Sequence, residues 1–210
     1  MNEAIGVHVV SLGCARNLVD SEVLLGHVTA EGLRIAPAEN EDVVVVNTCG
    51  FIDAAKEESI EHLLEAVGAK DEGALKGVLA VGCLAERYGA ELADKIPELD
   101  AVLGISDYSQ VPKLIRRIVN GSDQRWVATV DGGAPKAAQN DQRRYLLTPK
   151  SHAYLRISEG CDHTCTFCAI PSMRGKNRSK PADVLVEEAK ALAADGVREL
   201  VIVAEDTTAY

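Results

Sequence analysis

The chain is short of positive charge. Its 210 residues hold 22 Lys and Arg against 32 Asp and Glu, a formal net charge of −10. Residues 1–150 carry 15 basic and 23 acidic side chains, net −8; residues 151–210 carry 7 and 9, net −2. An acidic body excludes wide, non-specific contact with a nucleic-acid backbone, which needs a basic surface, so DNA is not an expected partner. Also missing is any apolar run long enough to span a bilayer. The opening "MNEAIGVHVVSLGC" carries a Glu and no Lys or Arg ahead of its apolar stretch, so it reads as a buried strand and not as a secretory leader. A cytoplasmic protein with no membrane partner is the expectation. There is no Walker-type glycine loop, and no Ser/His/Asp arrangement that the sequence singles out.

What the chain does have is cysteine, in two sets of three. Six thiols in a reducing compartment argue for metal ligation or redox chemistry over disulfides. The stretch "GCDHTCTFCAIPSMRG" places Cys161, Cys165 and Cys168 within eight residues. A disulfide uses two sulfurs and a structural zinc site usually four ligands. Three thiolates on one tight loop suit an iron–sulfur cluster with one iron left open. A zinc site of three Cys and one His, using His163 or His152, is chemically possible but leaves the other trio unexplained. Glu159 and Asp162, which flank the first loop cysteine, read as solvated loop charge. The following "RGKNRSK" puts Arg174, Lys176, Arg178 and Lys180 into seven residues. It reads either as a solvated loop or as a patch for an anionic ligand. His8, His27 and His62 are isolated and read as structural.

The first 120 residues alternate short apolar runs with amphipathic stretches, the pattern of a parallel α/β sheet. "IGVHVVSLG" predicts a first strand, followed by a helix capped by Asn17 and ended by Gly32. "DVVVVNT", "KGVLAVG" and "DAVLGIS" predict further strands, the first buried on both faces. Ile60, Leu63, Leu64 and Val67 predict one apolar helix face, with Gly68 as its stop. "VPKLIRRIVNG" closes this doubly wound domain over residues 1–121. A linker is expected over 122–150, where "VDGGAPKAAQNDQRR" has no periodicity. From residue 151, "AYLRIS", the cysteine loop, "PADVLVEEAKALAADG" and "VRELVIVAE" predict β-loop-α-β, the start of a second α/β unit over 151–210. Two strands and one helix do not complete a sheet or barrel, so the chain reads as a fragment.

Cys14, Cys49 and Cys83 each follow a predicted strand directly and each has a Gly beside it. Successive strands of a parallel sheet end at the same edge, where ligands usually bind. Three thiols 35 and 34 residues apart in sequence are therefore expected to meet in space. Buried small hydrophobes are the plain alternative for one such cysteine. Three at the same edge favour ligands, with the thiolates stabilised by metal.

The loop Cys161-x3-Cys165-x2-Cys168, with Phe167 before its last cysteine, resembles the signature of radical S-adenosylmethionine (AdoMet) enzymes. With the three dispersed cysteines ahead of it, the whole chain resembles the methylthiotransferases of that superfamily. The terminal "AEDTTAY", with Asp206, Thr207 and Thr208, resembles the RimO branch, which modifies an aspartate of a small-subunit ribosomal protein. The resemblance implies an N-terminal methylthiotransferase domain before the beginning of a radical AdoMet β/α barrel. It implies two 4Fe-4S clusters, one on each cysteine trio, with AdoMet at the loop cluster and Phe167 beside it. It implies radical removal of a hydrogen from the aspartate β-carbon, sulfur insertion and methyl transfer. The ribosomal protein or the ribosome is the implied partner, and the sequence names no electron donor. Transfer RNA as substrate (the MiaB type) and a non-enzymatic metal-binding module are the alternatives. Family members continue into a fuller barrel and a small C-terminal β-domain, so residues 1–210 alone are expected to be inactive.

Overall fold

The computed structural model describes residues 4–121, 125–127 and 141–210. The first unit winds as β1 (Gly6–Ser11), α1 (Ala15–Ala30), β2 (Arg34–Ile35), β3 (Val43–Thr48), α2 (Asp53–Asp71), β4 (Gly77–Gly82), α3 (Cys83–Lys95) and β5 (Ala101–Leu103). A 3-10 turn over Ile105–Gln110, α4 (Val111–Val119) and β6 (Trp126–Val127) complete it. The six strands form one parallel sheet in the order β2-β1-β3-β4-β5-β6. The run of valines in β3 explains why the sheet is covered on both sides. Val43 and Val45 pack with Leu24 and Val28 of α1 and Ile115 of α4. Val44 and Val46 point the other way, onto Leu63 of α2 and Leu84 and Leu92 of α3.

The second unit runs β7 (Ala153–Arg156), β8 (Ser158–Glu159), α5 (Ile170–Arg174), β9 (Arg178–Ser179), α6 (Ala182–Ala194) and β10 (Leu200–Val203). β7 and β10 pair in parallel, with Leu155 opposite Ile202, and α6 crosses between them. Its small core is Ala153, Leu155, Leu185, Leu192 and Val197.

Five local expectations change. Asn17 does not cap α1; Cys14 holds that position, and Asn17 sits inside the helix, donating to the carbonyls of Leu12 and Thr48. Gly68 lies within α2, which runs on to Asp71. Of the apolar set on α2, Leu63 and Val67 are buried whereas Ile60 and Leu64 face solvent. "DAVLGIS" is a strand only as far as Leu103, because Ile105–Gln110 coils into the 3-10 turn. Within the stretch read as a linker, Trp126–Val127 adds the sixth strand. Beyond residue 141 the chain lies on α1: Tyr145 donates its backbone N–H to the Glu22 carbonyl, and Leu147 to the Glu22 carboxylate. All of "VDGGAPKAAQN" lies outside the described residues.

Buried charge, together with Met173 of α5 packed into the first unit's core, ties the two units together. Arg156 of β7 is fully buried. It donates to Asp20 of α1 at 2.5 Å, to Glu159 at 2.8 Å, and to Asp141 at 2.6 and 3.1 Å. Arg174 of α5 takes the other Asp20 oxygen at 2.6 Å. Lys180 extends the lattice from Asp141, at 2.7 Å, to both oxygens of Glu188 on α6, at 2.9 and 2.7 Å. Burial opposes ionisation of Asp20, but the Arg174 and Arg156 charges outweigh it and hold its carboxyl below the ordinary range. Removing one partner from such a lattice leaves buried charge uncompensated. Arg156→Met should therefore lower unfolding free energy by about 3–5 kcal/mol, read as a fall in urea midpoint. Arg156→Lys should recover only part of this, because one ammonium cannot reach three carboxylates in a fixed fork.

Candidate metal and cofactor site

The parallel topology delivers three cysteines to one edge. Cys14 follows β1 and precedes α1, Cys49 follows β3, and Cys83 opens α3 directly after β4. Their neighbouring glycines allow the approach. Gly13 has φ +88°, and a Cβ there would lie 2.8 Å from the Cys49 Cβ. Gly82 has φ +95°, and a Cβ there would lie 2.2 Å from the Asn47 side-chain oxygen. All three cysteines line one cavity of about 780 Å³. Phe51, Ile52 and Ala55 continue its wall on the first unit, and Ile170, Met173, Arg174 and Glu205 close it from the second. The chain reaches its sheet edge and the second unit's loop region through a shared space.

All six cysteines are free thiols. Cys83 is deepest: its Sγ lies 3.3 Å from Asn17 Oδ1, which accepts from the thiol, and 3.4 Å from Arg174 Nη2. Burial pushes its pKa from 9.0 to about 11, against the pull of Arg174. Burial likewise raises Cys49. Cys49 and Cys83, which burial keeps protonated, need a cation at the site to become thiolate, and metal binding supplies one; Cys14 stands exposed at the same edge. Among the described residues no three His, Cys, Asp or Glu groups stand close enough to share one metal ion, as a zinc site with His163 or His152 requires. A cluster asks for one thiolate per iron, spread over a cube, and three converging sulfurs around a roomy cavity suit that donor set.

The second trio sits on the loop between β8 and α5. Cys165 is exposed, while Cys161 and Cys168 are half-buried. Backbone bonds fold the loop: Cys168 donates to the Cys165 carbonyl and Cys161 to the Gly175 carbonyl, both at 3.1 Å. His163 lies 2.8 Å from Asp206, which also caps the terminal turn Thr207–Ala209 through Thr208. Asp162 accepts from the Asn177 backbone at 3.1 Å. The structure does not put these three cysteines on the cavity wall; α5, two residues beyond Cys168, is what reaches it. Phe167 is 87% exposed and stands away from the cavity.

The residues that sequence patterning missed are the charged ones. Glu159, read as solvated, is buried against Arg156. In "RGKNRSK", Arg174 and Lys180 point inward to carboxylates, so this is not a surface patch. Arg16 pairs with Glu205 across the cavity. The i, i+4 spacing of Arg16 and Asp20 on α1 was the one signal available, and it matches many solvated helices equally well.

Residues 6–104 match a family model described as Uncharacterized protein family UPF0004, and residues 155–210 match the Radical SAM superfamily. The chain is 46% identical, over 97% of its length and 41% of the relative's, to the ribosomal protein uS12 methylthiotransferase RimO of Symbiobacterium thermophilum. It is 49% identical to the RimO of a Sulfurihydrogenibium species, covering 97% of this chain and 43% of that protein. The corresponding Clostridium perfringens protein is 45% identical, at 97% and 45% coverage. The chain thus spans less than half the length of the curated relatives it matches. Among solved structures it is similar to TsrM of Kitasatospora setae, a radical S-adenosylmethionine methyltransferase described with cobalamin and a [4Fe-4S] cluster bound. There the TM-score is 0.59 at 12% identity, covering 97% of this chain and 48% of that one. That likeness bears on the fold alone.

In the metal-free chain, alkylation at pH 8 should strike Cys165 and Cys14 first and Cys83 last. The raised pKa leaves Cys83 roughly 100-fold less thiolate than an ordinary cysteine, and its rate should climb with pH toward about 11. The sign carries over to stability: the folded chain keeps a proton that the unfolded chain releases near 9.0. The contribution is therefore full below pH 9 and lost as pH rises through about 11. Site-resolved mass spectrometry of alkylated peptides measures the order.

Proposed function

This chain belongs to the methylthiotransferase family of radical AdoMet proteins, and on that premise we propose what the full-length protein does. It inserts sulfur and transfers a methyl group at the β-carbon of an aspartate in the small-subunit ribosomal protein uS12, in the cytoplasm. The observation that carries this reading is the shared cavity. The three strand-end cysteines form one wall, and the helix that follows the second cysteine trio forms the other. Cys14, Cys49 and Cys83 would hold one 4Fe-4S cluster, and Cys161, Cys165 and Cys168 the other, with AdoMet beside the loop and Phe167 as a contact. When bound, these groups supply one-electron chemistry, the inserted sulfur and the methyl group.

The protein's own residues do the rest. Arg174 donates toward Cys83 Sγ and favours its thiolate over the thiol. Asn17 fixes α1 to the ends of β1 and β3 through the Leu12 and Thr48 carbonyls, which sets the spacing of Cys14 from Cys49. Phe51, Ile52, Ile170 and Met173 make the cavity largely apolar, which limits water around reactive species. His163 and Asp206 brace the cysteine loop from the chain's last turn. The reading treats residues 1–121 as the domain that carries the sulfur, 122–150 as its connection, and 151 onward as the domain that generates the radical. The acidic net charge of residues 1–150 supports a protein substrate over transfer RNA.

Anaerobic reconstitution of the full-length protein should give about eight irons with equal sulfide, falling to about four in a Cys161/Cys165/Cys168→Ala variant. It should give about four in a Cys14/Cys49/Cys83→Ala variant too. Only the protein with both clusters should add a methylthio group to uS12, read by intact mass. A single zinc, or modification of transfer RNA in place of uS12, would overturn the proposal.

A further inference from the structure

Among the described residues Arg16, Arg156, Arg174 and Lys180 bury their charge near the junction of the two units, and the last three donate to buried carboxylates. Arg156 serves three carboxylates. Arg174 serves Asp20 and Asn17 while facing Cys83. Arg16 differs. It stands in the first turn of α1, two residues after Cys14, and lines the cavity. Its side chain is about nine-tenths buried, and Glu205 is its partner across the cavity. Otherwise its Nε and both Nη groups find no hydrogen-bond acceptor among the described residues. A buried guanidinium with five donors and one carboxylate contact is under-used for its position. Around it the lining is mainly apolar, from Phe51, Ile52, Ala54, Ala55, Ile170 and Met173.

Glu205 indicates what chemistry fits there. Its carboxylate enters from the second unit, just beyond β10, and meets Arg16 at the cavity edge. A carboxylate from outside the chain can take the same fork. Glu205 is then not left without a cation, because its Oε1 lies 3.6 Å from Arg174 Nε. The exchange keeps every charge opposite a partner, which a buried site requires.

We infer that Arg16 is the residue that reads the carboxylate of the target aspartate, and so sets the enzyme's preference for an acidic side chain over its amide. The inference rests on the functional reading above. The carbon to be modified is one bond from that carboxylate carbon. A carboxylate held by Arg16 therefore brings the β-carbon beside the wall that carries Cys14, Cys49 and Cys83. A guanidinium fork distinguishes the two side chains by charge and by geometry: a carboxylate offers two charged acceptors, an amide one neutral acceptor and a repelled NH2 group.

The test uses the full-length, cluster-loaded protein as wild type, Arg16→Met and Arg16→Lys. Two uS12-derived peptides, one with the target aspartate and one with asparagine in its place, are titrated by fluorescence anisotropy. Wild type should bind the aspartate peptide roughly 10- to 100-fold more tightly, the scale of a charged paired hydrogen bond. Arg16→Met should erase that preference while iron content stays near eight per chain, and Arg16→Lys should restore part of it. A full preference retained in Arg16→Met overturns the inference and leaves the functional reading standing, as does equal binding of both peptides by a wild type that methylthiolates uS12. A wild type that prefers the aspartate peptide but never methylthiolates uS12 overturns the functional reading and keeps Arg16 as a carboxylate site.

Discussion

The two sides of the cavity are held to each other through one carboxylate. Asp20 lies on α1 at zero exposure, and its two oxygens go to two arginines of the second unit, Arg156 at 2.5 Å and Arg174 at 2.6 Å. Each arginine is itself braced, Arg156 by Asp141 and Glu159, Arg174 by Asn17. A carboxylate shared by two rigid forks has little freedom to slide, so α1 is fixed in both distance and angle against β7 and α5. Because Cys14 caps that same helix, the register of the ion lattice also sets the position of the first cysteine.

The cost of this arrangement and its use lie on the same residues. Buried ion lattices are weak contributors to stability compared with apolar packing of similar volume, and their value is in specifying geometry. Here the apolar alternative would not serve, since the elements joined carry the two cysteine sets. The second unit's own core is small, and the lattice adds to the packing of Met173 in the first unit's core. The charges also set the electrostatics of the cavity. Arg174 counters the burial that protonates Cys83. Burial raises the Glu205 carboxyl against the opposing pull of Arg16 and then Arg174.

The sheet was legible from the sequence because its signals are local. β3 and β4 are runs of consecutive apolar residues, and a parallel strand buried on both faces has no other pattern to show. The meeting of Cys14, Cys49 and Cys83 was legible for a different reason: parallel topology alone sends strand ends to one edge. Asp20 and Arg156 were not legible, being 136 residues apart, and neither carries a mark that separates it from a solvated charge on its helix or strand. The same holds for Lys180, which reads as one more cation in a basic loop until Asp141 and Glu188 are seen around it. Asn17 near a helix start predicts capping, whereas it bridges two strand ends, a task that needs a third dimension that capping rules do not contain.

The ion lattice holds the three strand-end cysteines and the helix that follows the loop trio to one cavity. Iron anomalous diffraction from crystals of the anaerobically reconstituted full-length protein tests it most directly. Two iron sites are expected, one held by Cys14, Cys49 and Cys83 on the cavity wall and one by Cys161, Cys165 and Cys168 on the loop that precedes α5, with Arg174 still bound to Asp20 between them. A single iron site, or two sites opening to different faces of the molecule with the Asp20 pairs broken, would contradict it.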